Sequence, residues 1–334
     1  MNDALSPLEF ALLNNWQRDF PLVSRPFQAI AETLGSTEDE VMVAYARLIK
    51  SGHISRIGAV FRPHVLGFST LAAVSVPADR VEWAAARINA HPAVNHNYER
   101  EHHWNLWFVV AATDRDAVAR VLAEIGREVE SPVLDLPMVE DYHIDLGFDL
   151  NGGPRSAHRN IHRPAPHPAS LDDCERSLCA ALEPGLSVTP RPYALLAALC
   201  NEPEADILER IAHLDTRGII RRFGVIVRHR ELGFTANAMV VWNIPDDRVQ
   251  TIGHALGEQP AVTLCYQRPR RLPDWPYNLF SMVHGRDRAA VLAEIDRLRK
   301  ELGLTDMACE PLFSRRRFKQ CGARYAADTR QKAA

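Results

Sequence analysis

The chain contains no long apolar run. No hydrophobic stretch approaches the roughly 18 residues of a membrane-spanning helix, and residues 1–6 are too polar to begin a secretory signal. The six cysteines form no Cys-x-x-Cys pair, which is the spacing typical of zinc ribbons and many iron–sulfur sites. We therefore expect a cytoplasmic protein with reduced thiols, no membrane association and no metal site of its own.

The chain also lacks an excess of positive charge. Its 39 lysines and arginines are balanced by 42 aspartates and glutamates, and the net charge is −3. Dedicated DNA-binding domains usually carry a basic surface, because contacts to phosphate supply most of their affinity. At 334 residues, the composition favours a globular protein of two or more domains over a nucleic-acid binder.

The sequence contains two copies of one pattern. The segment SRIGAVFRPHVLGF at residues 55–68 matches RRFGVIVRHRELGF at residues 221–234. Further on, NYEREHHWNLWFVV at residues 97–110 matches residues 265–283, which carry an insertion around Arg270–Pro273. Such internal repetition predicts two structural units of the same fold.

Each copy has the same predicted order of elements. Three helices come first. In copy one Arg25–Pro26 opens the second helix and Gly35 ends it, and Ser36 or Thr37 caps the third, which runs to Lys50. A short β pair at Ile54–Phe61 would form the wing. A β–α–β–β–α–β pattern follows, with its last strand in copy one at Val139–Ile144, and this order predicts a ferredoxin-like module.

The predicted fold class is therefore α+β, with two tandem repeats. Each repeat is a winged helix-turn-helix domain followed by a ferredoxin-like βαββαβ domain, and we expect the two sheets to pair as a pseudo-dimer within one chain. The predicted boundaries are 1–62 for winged helix 1, 63–150 for ferredoxin-like domain 1, 151–170 for a linker, 171–229 for winged helix 2, 230–325 for ferredoxin-like domain 2 and 326–334 for a tail.

A winged helix followed by a ferredoxin-like module resembles the layout of Lrp/AsnC regulators. The longer strings RRFGVIVRHRELGF, REHHWNLWF and FSRRRFKQCGARY resemble siroheme decarboxylases. That family usually has two related subunits, whereas this chain resembles fused forms linked to the biosynthesis of the nitrite reductase haem. The resemblance implies a carboxy-lyase that converts siroheme to 12,18-didecarboxysiroheme, by loss of two acetate carboxyl groups as carbon dioxide, for that haem or for haem by the alternative route.

The alternative is an Lrp/AsnC-like transcription regulator, or a haem or siroheme sensor without catalysis. A DNA-reading helix presents cationic or amide side chains near its start. Here Glu38, Asp39 and Glu40 occupy that edge, and Glu202, Glu204 and Asp206 do so in copy two. Because carboxylates repel phosphate, we expect the winged helices to be structural and to bind no DNA.

Basic and aromatic residues gather outside the helix-turn-helix segments. Aromatic rings can cover the faces of a macrocycle, and arginine forks bind its carboxylates. A Tyr-x-Arg pattern occurs in both copies, at Tyr98–Arg100 and Tyr266–Arg268. The predicted substrate-binding residues are Arg56, Arg62, Tyr98, Arg100, His103, Asn105, Arg222, Arg228, Tyr266, Arg268, Tyr277, Asn278 and Lys319.

His102 and His229 are the predicted catalytic residues. A histidine titrates near neutrality and suits proton delivery to the carbon that loses carbon dioxide. His102 could instead bind a carboxylate or ligate the iron axially, and all three roles stay open. The resemblance implies that the iron arrives with the substrate, so no cofactor beyond the iron-tetrapyrrole is expected. Siroheme is the expected partner, with other tetrapyrrole-biosynthesis proteins and a second copy of this chain, as a homodimer, as further candidates.

Overall fold

The computed structural model describes residues 5–62, 65–144, 171–228, 236–322 and 325. The chain divides into two compact units that cut across the two repeats. The winged-helix unit is made of residues 1–66 and 147–232, and the ferredoxin-like unit of residues 67–146 and 233–334. Each unit therefore combines the matching parts of both repeats.

The described elements follow the expected order, except that repeat one has an additional strand before the one expected to be its last. Local signals mark many of the helix ends. In chain order the elements are α1 (Pro7–Asn15), α2 (Pro26–Leu34), α3 (Glu38–Lys50), β1 (Ile54–Phe61), β2 (Phe68–Val74), a 3-10 turn (Ala78–Arg80), α4 (Val81–Ala90), β3 (Val94–Arg100), β4 (Leu106–Ala112), α5 (Arg115–Val129), β5 (Val133–Pro137), β6 (Glu140–Ile144), α6 (Asp173–Leu182), α7 (Pro192–Cys200), α8 (Glu204–Thr216), β7 (Ile220–Val227), β8 (Ala236–Trp242), α9 (Val249–Gly257), β9 (Val262–Gln267), β10 (Leu279–Gly285), α10 (Arg288–Glu301) and β11 (Cys309–Gln320).

Helix starts in the winged-helix unit follow the expected side-chain chemistry. The backbone N–H of Glu40 donates to the Thr37 hydroxyl, and the N–H of Thr37 donates to the Glu40 carboxylate. This capping box satisfies two donors at the start of α3. Proline occupies the first turn of α2, and Gly35 ends that helix with a left-handed backbone. The predicted bounds of α2 and α3 are confirmed.

The expected two-stranded wing within repeat one is wrong. Residues Ile54–Phe61 form the single strand β1, which pairs antiparallel with β7 of repeat two, and Gly58 lies opposite Gly224. A Cβ atom at Gly224 would lie 2.4 Å from the carbonyl oxygen of Gln17, so glycine permits β7 to lie against the chain that follows α1. The backbone donors of each wing are thus satisfied by the other repeat.

The two winged helices share one hydrophobic core. Side chains from α1 to α3 of repeat one and α6 to α8 of repeat two form a single buried cluster with the two wing strands. Phe20 of repeat one lies against Phe223 of repeat two, with ring centroids 6.5 Å apart. The hydroxyl of Tyr193 donates to the carbonyl of Pro21 at 2.8 Å. The unit is therefore an intramolecular pair of winged helices.

The ferredoxin-like unit contains nine strands, ordered β5-β2-β4-β3-β11-β8-β10-β9-β6. Two of these strands, β6 and β11, pair with strands of the other repeat, and β11 joins the repeat-one sheet to the repeat-two sheet. The last strand expected in repeat one, at Val139–Ile144, is found as β6, but β6 pairs with β9 of repeat two. β5 instead completes the repeat-one sheet beside β2. β11 pairs with β8 through its first half and with β3 of repeat one through its second half.

Three hydrophobic layers hold this unit together. One face of each sheet packs on the helices of its own repeat. The opposite faces of both sheets meet in a third cluster, which contains Leu71 and Trp107 of repeat one and Met239 and Phe280 of repeat two. This shared layer confirms the predicted pairing of the two sheets. In the part of the chain that the structure describes, no helix is long and apolar enough to cross a bilayer.

Candidate active site

Arg100 and Arg268 occupy matching positions at the ends of β3 and β9. Each arginine is almost completely buried, with 7% and 8% of its surface exposed. Nη1 of Arg100 donates to the carbonyl of Leu312 at 2.9 Å, and Nη1 of Arg268 donates to the carbonyl of Leu136. The Nε atom of each arginine is buried and has no hydrogen-bond partner among the described residues. Burial lowers the pKa of Arg100 to about 10. Burial also lowers the pKa of Arg268, although Tyr266 and Asp135 act to raise it.

Aromatic rings flank both guanidinium groups. Arg100 lies 5.7 Å from the ring centroid of Tyr98, and Arg268 lies 4.6 Å from that of Tyr266. Tyr266 is close enough to act electrostatically on both arginines. The structure therefore brings the two predicted Tyr-x-Arg pairs into one region between the sheets. Cationic donors beside aromatic faces suit a flat ligand with carboxylates at its edge.

His102 lies on the turn between β3 and β4. Its Nδ1 accepts a hydrogen bond from the backbone N–H of Trp104 at 2.9 Å, so in the neutral ring the proton is on Nε2. Nε2 lies 3.4 Å from a carboxylate oxygen of Glu310 on β11. Burial lowers the pKa of His102, the negative charge of Glu310 raises it, and the neighbouring His103 lowers it.

Repeat two supplies the surroundings of His102. The ring edge of Trp275, which is fully buried, packs against the imidazole with centroids 5.6 Å apart. The hydroxyl of Tyr277 donates to the same Glu310 oxygen at 3.0 Å. Burial, then Glu310, raises the pKa of Tyr277 to about 12. Trp275 and Tyr277 both lie in the loop that holds the predicted insertion, so the insertion of one repeat encloses the histidine of the other.

The equivalent position in repeat two has different chemistry. Arg270 follows Arg268 at the spacing by which His102 follows Arg100. Its guanidinium pairs with Asp246 and donates to the Asn243 side chain at 3.0 Å. Its interactions are thus made within repeat two. The histidine–carboxylate arrangement is accordingly present on the His102 side and not at the matching described position.

Asn105 and Asn278 brace the ends of strands. The amide of Asn105 exchanges two hydrogen bonds with the backbone of Val76, at 3.1 and 2.8 Å. The amide of Asn278 does the same with Ile244, at 2.9 Å in both directions. The backbone of these two asparagines also accepts from the N–H groups of Arg100 and Arg268. Their predicted contact with substrate stays a prediction, while the structure gives them a bracing role beside the arginines.

Two other predicted residues lie at the margin of this region. The Nζ atom of Lys319 donates to the carbonyls of Asn89 and His91, at 2.9 and 3.2 Å, and so caps the end of α4. His103 is exposed and lies 3.4 Å from the hydroxyl of Ser75. Neither side chain is brought to the buried arginines by these contacts, and their binding roles stay predictions.

The remaining predicted residues belong to the winged-helix unit. Arg56 donates to the carbonyl of Ala59 at 3.0 Å, and Arg62 donates to that of Gly218 at 3.2 Å. Arg222 is buried in the strand pair, and the backbone N–H of Arg228 donates to His53. His229 lies outside the described residues, so its predicted catalytic role stays a prediction.

Glu310 is a site residue that the sequence does not predict. No motif marks it, because it stands in a strand where carboxylates are ordinary solvent-facing residues. The folded sheet shows what distinguishes this position: in strand register Glu310 lies opposite Val241, where repeat one has Leu134 opposite Ala73. A carboxylate at one position and a leucine at its match indicate a difference in function between the repeats, but the register emerges only from the folded sheet.

The comparisons with known proteins agree with this architecture. Residues 65–143 and 231–319 match the family model of an AsnC-like ligand binding domain. Residues 9–54 and 175–221 match the model of a siroheme decarboxylase NirDL-like HTH domain. Fold and site thus define a class of proteins in which two HTH plus AsnC-like repeats are joined in one chain, with a basic, aromatic region in the AsnC-like part.

Similarity over the full length narrows this class. A siroheme decarboxylase NirDL subunit from Paracoccus denitrificans (strain Pd 1222) is 45% identical over 325 residues, covering 96% of this chain and 98% of the relative. The chain belongs to the siroheme decarboxylase family of enzymes. The crystal structure of the siroheme decarboxylase NirDL superposes with a TM-score of 0.68 at 27% identity, covering 96% of this chain and 95% of the other. A second crystal structure of NirDL, in complex with an iron-uroporphyrin III analogue, gives 0.66 at 26% identity and covers 95% and 93%.

Proposed function

We propose that this enzyme is a carboxy-lyase that converts siroheme to 12,18-didecarboxysiroheme by removing two acetate carboxyl groups as carbon dioxide. The observation that carries the proposal is the pair of buried arginines, Arg100 and Arg268, each beside a tyrosine ring and each with an unpaired Nε. Neither arginine forms an ion pair with a described carboxylate, burial of an unpaired cation is costly, and a ring bearing several carboxylates would supply partners. The relatives' names and the tetrapyrrole analogue in a neighbour's crystal structure support the choice of ligand.

The chemistry asks little of the protein beyond binding and a proton. When the bond between the carboxyl carbon and the methylene carbon breaks, the electron pair stays on the methylene carbon and is spread into the conjugated macrocycle. A proton then converts the methylene to a methyl group. We propose that His102 delivers this proton and that no cofactor beyond the iron-tetrapyrrole takes part, since the substrate is its own electron sink.

The geometry around His102 favours proton delivery over iron ligation. An axial ligand needs a free nitrogen lone pair. The lone pair of Nδ1 accepts the Trp104 N–H, and the Nε2 proton points toward Glu310. The 3.4 Å separation of Nε2 and Glu310 exceeds the ~2.7–2.9 Å of a charge-assisted hydrogen bond, so this proton is not held tightly by the pair.

Incubation with siroheme, followed by mass analysis of the macrocycle, tests the proposal. We expect stepwise loss of two carbon dioxide units, with a shift in the absorbance of the macrocycle on binding. An absorbance shift without any change in mass would identify a sensor and overturn the proposed reaction. The order of the two losses can be read from the mono-decarboxylated intermediate in the same experiment.

A further inference from the structure

Glu310 connects the proposed proton donor to repeat two. The carboxylate lies on β11, in the half of the strand that pairs with β8, whereas His102 lies on the β3–β4 turn of repeat one. One oxygen of Glu310 lies 3.4 Å from Nε2 of His102 and accepts the Tyr277 hydroxyl at 3.0 Å. Three segments that are distant in sequence therefore meet at one carboxylate oxygen.

We propose that Glu310 is a positioning residue, which acts through His102 by orienting its ring and supporting its protonated form, with Tyr277 fixing the carboxylate. This inference rests on the proposed function. Trp104 fixes one side of the imidazole through its N–H, and Glu310 faces the other side, so the ring has one preferred orientation and one preferred neutral tautomer. Because Nδ1 accepts the Trp104 N–H in the neutral ring, protonation of Nδ1 must break that hydrogen bond, and the carboxylate beside Nε2 offsets this cost by stabilising the imidazolium.

Glu310 offsets two effects that oppose the protonation of His102. Burial disfavours the charged imidazolium, and His103 on the same turn adds a second group that opposes protonation. Glu310 is the carboxylate that faces the ring from β11. Trp275 faces the ring from the insertion loop with an uncharged edge, and Tyr277 acts through Glu310. Without Glu310, protonation of His102 would be opposed by burial and by His103.

Glu310 also gives the pair access to solvent. Its side chain is 41% exposed, while that of His102 is 13% exposed. One decarboxylation consumes one proton: the carboxylate leaves as carbon dioxide, the electron pair stays on the methylene carbon, and His102 gives its proton to that carbon. Neutral His102 must then be reprotonated from water before the next event, and the exposed carboxylate lies on the side from which water reaches it.

The Glu310→Gln variant tests this role by a readout that a structural residue would not change. The variant keeps the size of the side chain and a Tyr277 acceptor but removes the charge. We expect the pKa of His102 to fall, so that the alkaline limb of the pH–rate profile moves to lower pH. At a fixed pH on that limb, kcat should fall by about tenfold, the lower end of what an adjacent opposite charge supplies, with little change in KM.

Two comparison variants make the result specific. Glu310→Asp keeps the charge, so its alkaline limb should stay closer to that of the wild type even where kcat is lower. Glu140→Gln is the matched control, because the Glu140 carboxylate also accepts a tyrosine hydroxyl, that of Tyr142 at 3.3 Å, in the same unit. We expect its limb to coincide with that of the wild type.

Direct titration separates this proposal from the proposed reaction. With histidine labelled in the imidazole ring, the resonance of His102 is assigned by its loss in His102→Gln, and its pKa is measured without siroheme. A lower pKa in Glu310→Gln supports the proposal even if siroheme were not the substrate. Identical His102 titrations in wild type and Glu310→Gln would overturn it while leaving the decarboxylase function intact, and so would a shifted titration with an unshifted pH–rate limb.

Discussion

Arg100 of repeat one donates a 2.9 Å hydrogen bond to the carbonyl of Leu312 in repeat two. Arg268 of repeat two makes the reciprocal contact with Leu136 of repeat one. In strand register the two acceptors match, since Leu136 lies opposite Leu71 and Leu312 lies opposite Met239. Each repeat thus holds the guanidinium of the other in place with a backbone oxygen.

Replacement of Arg100 by methionine should separate stability from binding. The buried cation has no carboxylate within ion-pair distance among the described residues, and replacing a buried charge with an apolar side chain of similar length is often neutral or stabilising. We expect the Tm to be unchanged or higher. Siroheme binding should weaken by about 10- to 100-fold, as for the loss of one charged hydrogen bond of ~1.5–3 kcal/mol.

Absorbance titration with siroheme and thermal unfolding of the same samples check this pair of effects. Arg120→Met is the control, because Arg120 is exposed on α5, and it should leave affinity and Tm unchanged. A large fall in the Tm of Arg100→Met with unchanged affinity would show that the arginine serves the fold and not the ligand.

His102→Ala should remove turnover while siroheme still binds. General acid catalysis typically contributes ~10² to 10⁴ in rate, so kcat should fall by about that factor while the absorbance shift on binding persists. Single-turnover mass analysis at saturating siroheme measures the loss, and His213→Ala, an exposed histidine on α8, is the control. Loss of binding in His102→Ala would instead indicate an anchoring role. The same loss of turnover is predicted for His229→Ala.

Asn278→Ala should lower the free energy of unfolding more than Asn105→Ala, the matching change in repeat one. The Asn278 amide is buried and satisfies both backbone groups of Ile244. Each group left unsatisfied costs about 1–3 kcal/mol, so a loss of about 2–4 kcal/mol is expected. Asn105 is only partly buried, and water can replace its amide, so Asn105→Ala should cost less. Denaturant unfolding of both variants measures the difference, and equal losses would contradict it.

The winged-helix unit should show no sequence-specific DNA binding at about 0.15 M salt. Glu38 at the start of α3 pairs with Arg25, and Glu204 at the start of α8 pairs with Arg191, so the two nearby arginines are already engaged by carboxylates. The reading edge therefore offers phosphate little net positive charge. Gel-shift titration against genomic fragments checks this, and a protected footprint at nanomolar protein would contradict it.

Local order could be predicted from the sequence, whereas the partners of the strands could not. Pro26, Gly35 and Thr37 act on their immediate neighbours, so the bounds of α2 and α3 follow from residue type. The pairing of β1 with β7 has no local signal, because alternation of side chains identifies a strand but not the strand beside it.

The residues of the candidate site likewise divide into those that a sequence pattern predicts and those that only the pairing of strands brings together. Tyr98, Arg100, Tyr266 and Arg268 were predicted because the pattern is repeated in sequence, and the structure brings them together. Glu310 was missed because it reaches His102 only through the strand that crosses between repeats. The repeated position of Asn105 and Asn278 predicts contact with substrate, and the structure shows that both also brace the backbone, a role that the sequence pattern alone does not reveal.

The pKa of His102 should appear in the pH dependence of stability. Burial lowers this pKa in the folded protein, while the unfolded chain titrates near the ordinary value of about 6.5. As the pH falls through that value, the unfolded state takes up the proton first. The stability contributed by neutral His102 is therefore fully present above about pH 6.5 and is lost as the pH falls toward the folded-state pKa.

Unfolding by denaturant at several pH values between about 5 and 8, for wild type and His102→Gln, isolates this contribution, because the other histidines titrate in both proteins. We expect the free energy of unfolding of the wild type to fall more steeply below about pH 6.5 than that of the variant, and the two slopes to agree above it. The free energy of unfolding of Glu310→Gln should fall more steeply with decreasing pH than that of the wild type, since loss of the carboxylate lowers the folded-state pKa of His102 further. Parallel curves for wild type and His102→Gln would mean that the imidazole titrates alike in the folded and unfolded protein, and would contradict the buried environment seen around it.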